Sequence, residues 1–222
     1  NIVNSAIIVA GGSGQRFGSK IPKQFLKIGG KEILEYSVQT FYNHPEIDEV
    51  IVVAQSDWVN HVNDKYPECI VTTGGDTRQK SVNNGLKICN EKYKFVLIHD
   101  AARPFVTSKI IQDCIDQLKE FQVVVPVLNP PDSLIKFENH STTILDRNQI
   151  KIMQTPQCFH VGIINKTLTE HSSATDDFGS VLQTFPDISY TFVNGDENNF
   201  KITHQSDLER AKFIIQSSNA QT

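Results

Sequence analysis

The chain is poor in the residues that build metal clusters and disulfide scaffolds. Its four cysteines, Cys69, Cys89, Cys114 and Cys158, are spread through 222 residues with no Cys-x-x-Cys pair. That spacing argues against a zinc site and a disulfide framework, and leads us to expect a reduced, cytoplasmic setting. No apolar run approaches the ~20 residues that span a bilayer, and the first apolar stretch has no signal-like segment ahead of it, so no membrane partner is expected. Basic residues are not in excess either. The 21 Lys and Arg are outnumbered by 25 Asp and Glu, for a net charge of −4, which argues against a general nucleic-acid binder and requires any positive field to be local. Internal repeats, low-complexity tracts, a serine elbow and a Cys/His pairing signal are all missing, so nothing resembles a nucleophilic apparatus.

What is present begins at residue 7: Ile7-Ile8-Val9-Ala10-Gly11-Gly12-Ser13-Gly14-Gln15-Arg16-Phe17-Gly18-Ser19-Lys20-Ile21-Pro22-Lys23-Gln24. A short apolar run opens into a glycine loop carrying Arg16, Lys20 and Lys23. Glycines let a backbone approach a ligand and turn its N–H groups inward. The loop lacks the terminal Gly-Lys-Ser/Thr of a Walker motif, and Phe17 stands where a dinucleotide fingerprint needs its third glycine. A plain strand-to-helix turn with solvated charges is the alternative. Three cations within eight residues of an acidic chain repel one another unless an anion is there, which favours phosphate handling.

Along the chain, apolar strands are expected at 5–10, 49–54, 69–73, 95–98 and 123–127. Helices are expected at 31–42, after a Ser56 cap, through Ile88, and after a Ser108 cap, the last with Ile110, Ile111, Cys114, Ile115 and Leu118 on one face. This alternation implies βαβ units and a doubly wound, mostly parallel α/β sheet in a single domain over residues 1–222. Ligands of such sheets bind outside the carboxyl ends of the strands, where the Gly11 loop, the Gly74-Gly75 turn and Asp100 all fall. The alternation stops at Asn129-Pro130-Pro131. Strand-like pieces at 134–137, 142–145 and 151–154 form a β-excursion over about 132–155, which cannot bury much alone and is expected to pack against a second copy of the chain; a hairpin folded onto its own domain is the alternative. After Phe159 the chain reads as helix, strand at 189–193, an Asn-rich loop, a short strand through Ile202 and a final helix with Leu208, Ala211, Ile214 and Ile215.

Asp100, at a strand end in His99-Asp100-Ala101-Ala102-Arg103-Pro104, is placed to hold Mg²⁺ or another divalent cation, which takes one or two carboxylates plus phosphate oxygens. Arg103 would stand near the same phosphates, while His99 reads as a packing or hydrogen-bonding residue rather than a catalyst. Ser81 can offer a hydroxyl to a base or phosphate. Arg147 and Lys201, each alone a solvated charge, are the cations a second phosphorylated substrate would need. Cations, glycines and one metal-ready carboxylate suit phosphoryl or nucleotidyl transfer.

These segments together resemble the 2-C-methyl-D-erythritol 4-phosphate cytidylyltransferase family. The resemblance rests on Ala10-Gly11-Gly12-x-Gly14-x-Arg16, Pro22-Lys23-Gln24, Gly74-Gly75-Asp76-x-Arg78-x-x-Ser81-Val82, His99 to Pro104, Asp146-Arg147, Gln154-Thr155-Pro156-Gln157, Thr175-Asp176-Asp177 and Asn199-x-Lys201-Ile202-Thr203. It implies a Rossmann-like nucleotidyltransferase with CTP and a small polyol phosphate as substrates and a homodimer formed through the β-arm. Arg16 and Lys23 would be the catalytic cations, and Mg²⁺ would sit at Asp100. Ala10, Gly11, Gly12, Gly75 and Ser81 would hold cytidine and phosphates. Arg103, Ser133, Arg147, Thr155 and Lys201 would bind the acceptor, some from the partner's arm. Ser133 stands where the family often has Thr, Phe17 where Met is common, and Asn198 where some members carry an acid, which puts a second metal ligand in question. Ribitol 5-phosphate cytidylyltransferases share fold, loop and arm, and a non-catalytic nucleotide-binding protein is the rival of another class.

Overall fold

Alternate residues of the first strand, β1 (Asn4–Ala10), serve two different cores. Ala6, Ile8 and Ala10 pack on one face and Ile7 on the other, as a strand buried on both sides requires. The same split recurs in β4 (Glu49–Ala54), where Val50, Val52 and Ala54 join one core and Ile51 and Val53 the other, and in β6 (Phe95–Asp100). The computed structural model describes residues 3–12, 17, 19–89, 93–167 and 176–219.

The remaining elements are β2 (Lys27–Ile28), β3 (Lys31–Glu32), α1 (Ile33–Tyr42), α2 (Val59–Lys65), β5 (Ile70–Thr73), α3 (Arg78–Ile88), α4 (Ser108–Leu118), β7 (Val123–Leu128), β8 (Leu134–Glu138), β9 (Ser141–Leu145), β10 (Ile152–Met153), β11 (Gln157–His160), α5 (Val161–Thr167), α6 (Asp177–Thr184), β12 (Tyr190–Asn194) and α7 (Gln205–Asn219). An eight-stranded sheet runs β10-β7-β11-β6-β1-β4-β5, with β12 paired to β7. β1, β4, β5, β6, β7 and β12 run one way; β10 and β11 run against them. Side chains of α1, α2 and α4 cover one face, and those of α3, α5 and α6 the other. The expected doubly wound, mostly parallel sheet is therefore present. α3 comes close to the sheet because a Cβ on Gly85 would meet Ile7 Cγ2 at 2.8 Å and Val53 Cγ2 at 3.0 Å.

Several boundaries differ from the sequence reading. Thr107, not Ser108, caps α4, its Oγ1 accepting from the Ile110 N–H. Ser56 caps nothing; it opens a single 3₁₀ turn whose Trp58 stacks on Phe25 at 4.2 Å, so aromatic packing sets that entry. Residues 31–32 pair with 27–28 in a hairpin turned by Gly29 and Gly30, both at positive φ, the conformation glycine adopts without cost. Residues 157–160 form β11, and the stretch through Ile202 is not a strand: its backbone N–H donates to the Ala102 carbonyl and its side chain is buried.

The β-excursion divides in two. β8 and β9 form a hairpin that, among the described residues, pairs with no other strand. Its two-residue turn, Asn139-His140, has φ of 49° and 60°, as a type I′ turn demands. The third piece leaves the arm, since Ile152 and Met153 pair with Leu128 and Val127 of β7. On the hairpin Ile135, Phe137 and Ile144 are 61%, 67% and 81% exposed.

Candidate functional site

The parallel register brings three strand ends together. Ala10 lies opposite Ala54, and Val9 opposite Asp100. The glycine loop, the turn after β5 and the acidic end of β6 thus share one edge of the sheet, as expected from the sequence.

Two side chains shape the glycine-loop side of that edge. Gln24, buried, donates from Nε2 to the carbonyls of Ala10 (2.6 Å) and Gly12 (3.1 Å), tying the loop's first residues to the Lys23–Phe25 turn. Stacking of Phe25 on Trp58 anchors that turn from behind. Ser81, on the buried face of α3, takes the Gly75 N–H at 3.1 Å and gives its own hydrogen to the Thr77 carbonyl at 3.1 Å. A Cβ on Gly11 would stand 3.0 Å from Ser81 Oγ, and one on Gly74 2.9 Å. The hydroxyl expected to face a base or phosphate therefore organises the turn whose backbone would do so. Of the loop, Gly14, Arg16 and Gly18 lie outside the described residues, as does Thr175. Phe17 packs against the cluster of Ile28, Ile33, Ile202, Leu208 and Ala211.

Opposite the loop, Asp100 is buried among three cations. Arg78 Nε reaches Oδ1 at 3.1 Å, Lys201 Nζ reaches Oδ2 at 3.1 Å, and Arg103 Nε stands 3.8 Å from Oδ2. Burial opposes ionisation, yet Arg78, Lys201 and Arg103 outweigh it and hold the Asp100 carboxyl well below the usual carboxylate range. α7 positions Lys201: its Asp207 accepts the N–H groups of Thr203 and His204, both at 2.8 Å. The second guanidinium, Arg103, donates from Nη1 to the Asn199 carbonyl at 2.8 Å and leaves Nε buried without a hydrogen-bond partner. An orphaned cationic donor beside two other cations is suited to an anionic ligand.

Thr155 sits beneath Asp100, its Oγ1 accepting the Asp100 N–H at 3.1 Å. Its hydroxyl lies 2.8 Å from His99 Nδ1, while His99 Nε2 lies 2.9 Å from the Arg103 carbonyl. A carbonyl only accepts, so Nε2 carries the hydrogen and Nδ1 accepts from Thr155. Burial lowers the His99 pKa from 6.5 to about 4. The unfolded chain therefore takes up this proton first as pH falls through 6.5, and the folded state loses up to about 3 kcal/mol on this account by pH 4. In urea unfolding across pH, the wild type should weaken between pH 6.5 and 4, above the range where Asp100 is protonated, and His99→Gln should lose most of that slope. His44, also lowered by burial, keeps a remainder. An unchanged slope in His99→Gln would contradict the assignment.

A single ionised carboxylate suits a divalent cation that brings its remaining ligands on a triphosphate. Among the described residues no group of three or more His, Cys, Asp or Glu gathers into a cage; a divalent cation at Asp100 would take its remaining ligands from phosphate oxygens. Lys201, 38% exposed, is the partner with room to leave Oδ2.

Arg103, Thr155 and Lys201 thus stand with Asp100. Ser133 and Arg147 do not join them within the chain: both are exposed on the arm side, with Arg147 Nη1 donating to the Pro131 carbonyl at 2.8 Å. Arg147 and Lys151 line a separate cavity of about 430 Å³ at the arm's base with Asn129, Pro130, Pro131 and Asn148. Sequence reasoning gave no role to Gln24, Arg78, Gln154, Asp177 or Asn199. Gln154 and Asn199 form a buried amide pair, Asn199 Nδ2 also holding the Thr155 carbonyl at 2.9 Å. The signal was available, since all five lie inside the shared motifs quoted above.

The family model described as 2-C-methyl-D-erythritol 4-phosphate cytidylyltransferase matches residues 4–217. A protein of that name from Thermotoga neapolitana is 37% identical over 216 residues, covering 96% of each chain. One from Clostridium botulinum is 38% identical over 225 residues, covering 96% of this chain and 97% of its own. Among solved structures, 4-diphosphocytidyl-2C-methyl-D-erythritol synthase from Anaerococcus prevotii is similar at a TM-score of 0.87 and 28% identity, covering 97% of this chain and 96% of that one.

Proposed function

The chain belongs to the 2-C-methyl-D-erythritol 4-phosphate cytidylyltransferase family and is a nucleotidyltransferase, and from that premise we propose that it transfers CMP from CTP to 2-C-methyl-D-erythritol 4-phosphate with release of pyrophosphate. The observation that carries the reading is Asp100, held ionised by Arg78, Arg103 and Lys201 at the strand edge that also bears the glycine loop and the Lys23 turn. Ribitol 5-phosphate, the rival acceptor, is not favoured by the family match.

In this mechanism an acceptor phosphate oxygen attacks the α-phosphorus of CTP. The bond from that phosphorus to the bridging oxygen breaks, and pyrophosphate leaves with the electron pair. Lys23 and Arg16 stabilise the charge that grows on the α-phosphate and leaving group. The backbone at Ala10, Gly11, Gly12 and Gly75, the latter set by Ser81, holds cytidine and phosphates. Arg103 and Lys201 bind the acceptor, and Thr155, whose hydroxyl is spent on the Asp100 N–H and His99 Nδ1, supports Asp100 from beneath. Mg²⁺ at Asp100 would neutralise and orient the triphosphate. Pyrophosphate release should therefore require CTP, acceptor and metal together: EDTA should abolish it, added Mg²⁺ restore it, and ATP support little. Turnover undiminished in EDTA would remove the metal from the account.

Homodimerisation through the arm belongs to the same proposal. The apolar face of Ile135, Phe137 and Ile144 supports it, because a two-stranded hairpin is marginal alone. In the dimer, the arm of one protomer brings Ser133 and Arg147 to the acceptor held by the other. Since Phe137 and Ile144 are exposed, Phe137→Asp with Ile144→Asp should leave the protomer folded and shift sedimentation to the monomer. A dimer surviving both changes would place the interface elsewhere. For the compartment, among the described residues no helix is long and apolar enough to cross a membrane, and a cytoplasmic setting is our reading.

A further inference from the structure

Arg78 is the first residue of α3, and its guanidinium is divided between two acids from other elements. Nε pairs with Asp100 Oδ1 at 3.1 Å, and Nη1 pairs with Asp177 Oδ2 at 2.8 Å. Asp177 opens α6, 99 residues further along the chain, and its side chain is 3% exposed. A guanidinium is a rigid fork that ordinarily takes both oxygens of one carboxylate. Here the fork is split, so Asp100 receives one arm of it, with Lys201 on its other oxygen. Counted by formal charge, Arg78, Arg103 and Lys201 face Asp100 and Asp177. Without Asp177, three cations would share one carboxylate, and the freed arm of Arg78 would have Asp100 as its remaining acidic partner in this cluster.

We propose that Asp177 is a positioning residue: by holding Nη1 of Arg78 it keeps that guanidinium from clamping Asp100 with both arms, and so sets how readily Asp100 accepts the divalent cation of a bound nucleotide. The proposal rests on the assignment of Asp100 as the cation ligand. It gives a role to the second aspartate of Asp176-Asp177; Asp176 is already used as the α6 cap, accepting the Gly179 N–H at 2.8 Å.

A residue that merely joins α3 to α6 and one that governs Asp100 make different predictions. If the role is only structural, Asp177→Asn and the double variant change unfolding stability and leave the Mn²⁺ affinity of the folded protein close to that of the wild type. If Asp177 restrains Arg78, the second substitution relieves the effect of the first, because no clamp remains to close on Asp100. The same double variant avoids leaving either member of the buried Arg78–Asp177 pair without its partner.

The test is Mn²⁺ binding measured by electron paramagnetic resonance, with CTP present and no acceptor. Asp177→Asn should weaken Mn²⁺ by about tenfold, roughly the loss of one charge-assisted contact. Arg78→Gln combined with Asp177→Asn should bind Mn²⁺ at least as tightly as wild type. Asp100→Asn is the control for the underlying reading. If it binds Mn²⁺ like wild type, the cation assignment itself fails. If Asp100→Asn weakens binding while Asp177→Asn does not, the positioning role alone is overturned. A double variant as weak as Asp177→Asn, or weaker, also overturns it, and that arm decides the matter should Asp177→Asn alone fail to fold.

Discussion

Lys23→Ala should lower kcat by about 10²-fold or more while the protein stays folded, the scale lost when one preorganised charge-stabilising donor is removed. Lys23 is the first residue of the short turn that follows the glycine loop. The turn is held by Gln24 on the carbonyls of Ala10 and Gly12 and by Phe25 on Trp58. Truncating Lys23 removes charge from the reaction while those contacts remain. Because that charge matters most as the pyrophosphate departs, kcat should fall more than KM for CTP rises. Steady-state kinetics beside urea unfolding separate the two effects. Near-normal turnover would refute the catalytic assignment, and a large loss of stability would mean that the lysine is structural.

The second large effect is expected at Asp100, where activity and stability should fall together. Asp100→Asn keeps the shape but leaves Arg78, Arg103 and Lys201 converging on a neutral amide. Removing one member of a buried charge cluster typically costs about 3–5 kcal/mol. The cost here should be near the low end, since Lys201 is partly exposed and can turn into water. Turnover with Mg²⁺ should drop by about 10³-fold, combining loss of the cation with misplacement of the phosphates. Pyrophosphate or sulfate should recover part of the lost stability in this variant, by giving the three cations an anion again. Native stability in Asp100→Asn would contradict the cluster's electrostatics, and native turnover would contradict the metal site.

Where one physical requirement ruled a segment, the sequence showed its structure. β1, β4, β6 and β7 are buried on both faces, so their runs of Val, Ile, Leu and Phe stood out, and the face of α4 was marked by Ile110, Ile111, Cys114, Ile115 and Leu118, all buried. β11 did not stand out. Its Gln157 and His160 look polar because they serve particular partners, Gln157 the Phe178 N–H and His160 the Leu118 carbonyl. Ile202 misled in the opposite sense: an apolar residue between polar neighbours reads as strand, but it makes one backbone bond, to Ala102, and is buried in the cluster of Ile28, Ile33, Leu208 and Ala211. Thr107 and Ser108 are both competent caps, and adjacent choices of that kind are settled only by geometry.

The site divides in the same way. Strand-end logic located the Gly11 loop, the Gly74-Gly75 turn and Asp100, the placing of cations singled out Lys23, Arg103 and Lys201, and motif resemblance added Thr155. The supporting contacts were hidden because each joins distant positions. Gln24 reaches back to Ala10 and Gly12, Asn199 reaches Thr155, and Arg78 reaches Asp177 across 99 residues. Spacing carries no signal at that separation. Ser81 was visible as a residue type, but its hydroxyl closes on Gly75 and Thr77 within its own turn.

The most direct test of the account is pyrophosphate release from CTP and Mg²⁺, with 2-C-methyl-D-erythritol 4-phosphate and ribitol 5-phosphate as parallel acceptors. The account predicts rapid release with the first and little with the second. Preference for ribitol 5-phosphate, or no release with either, would contradict it.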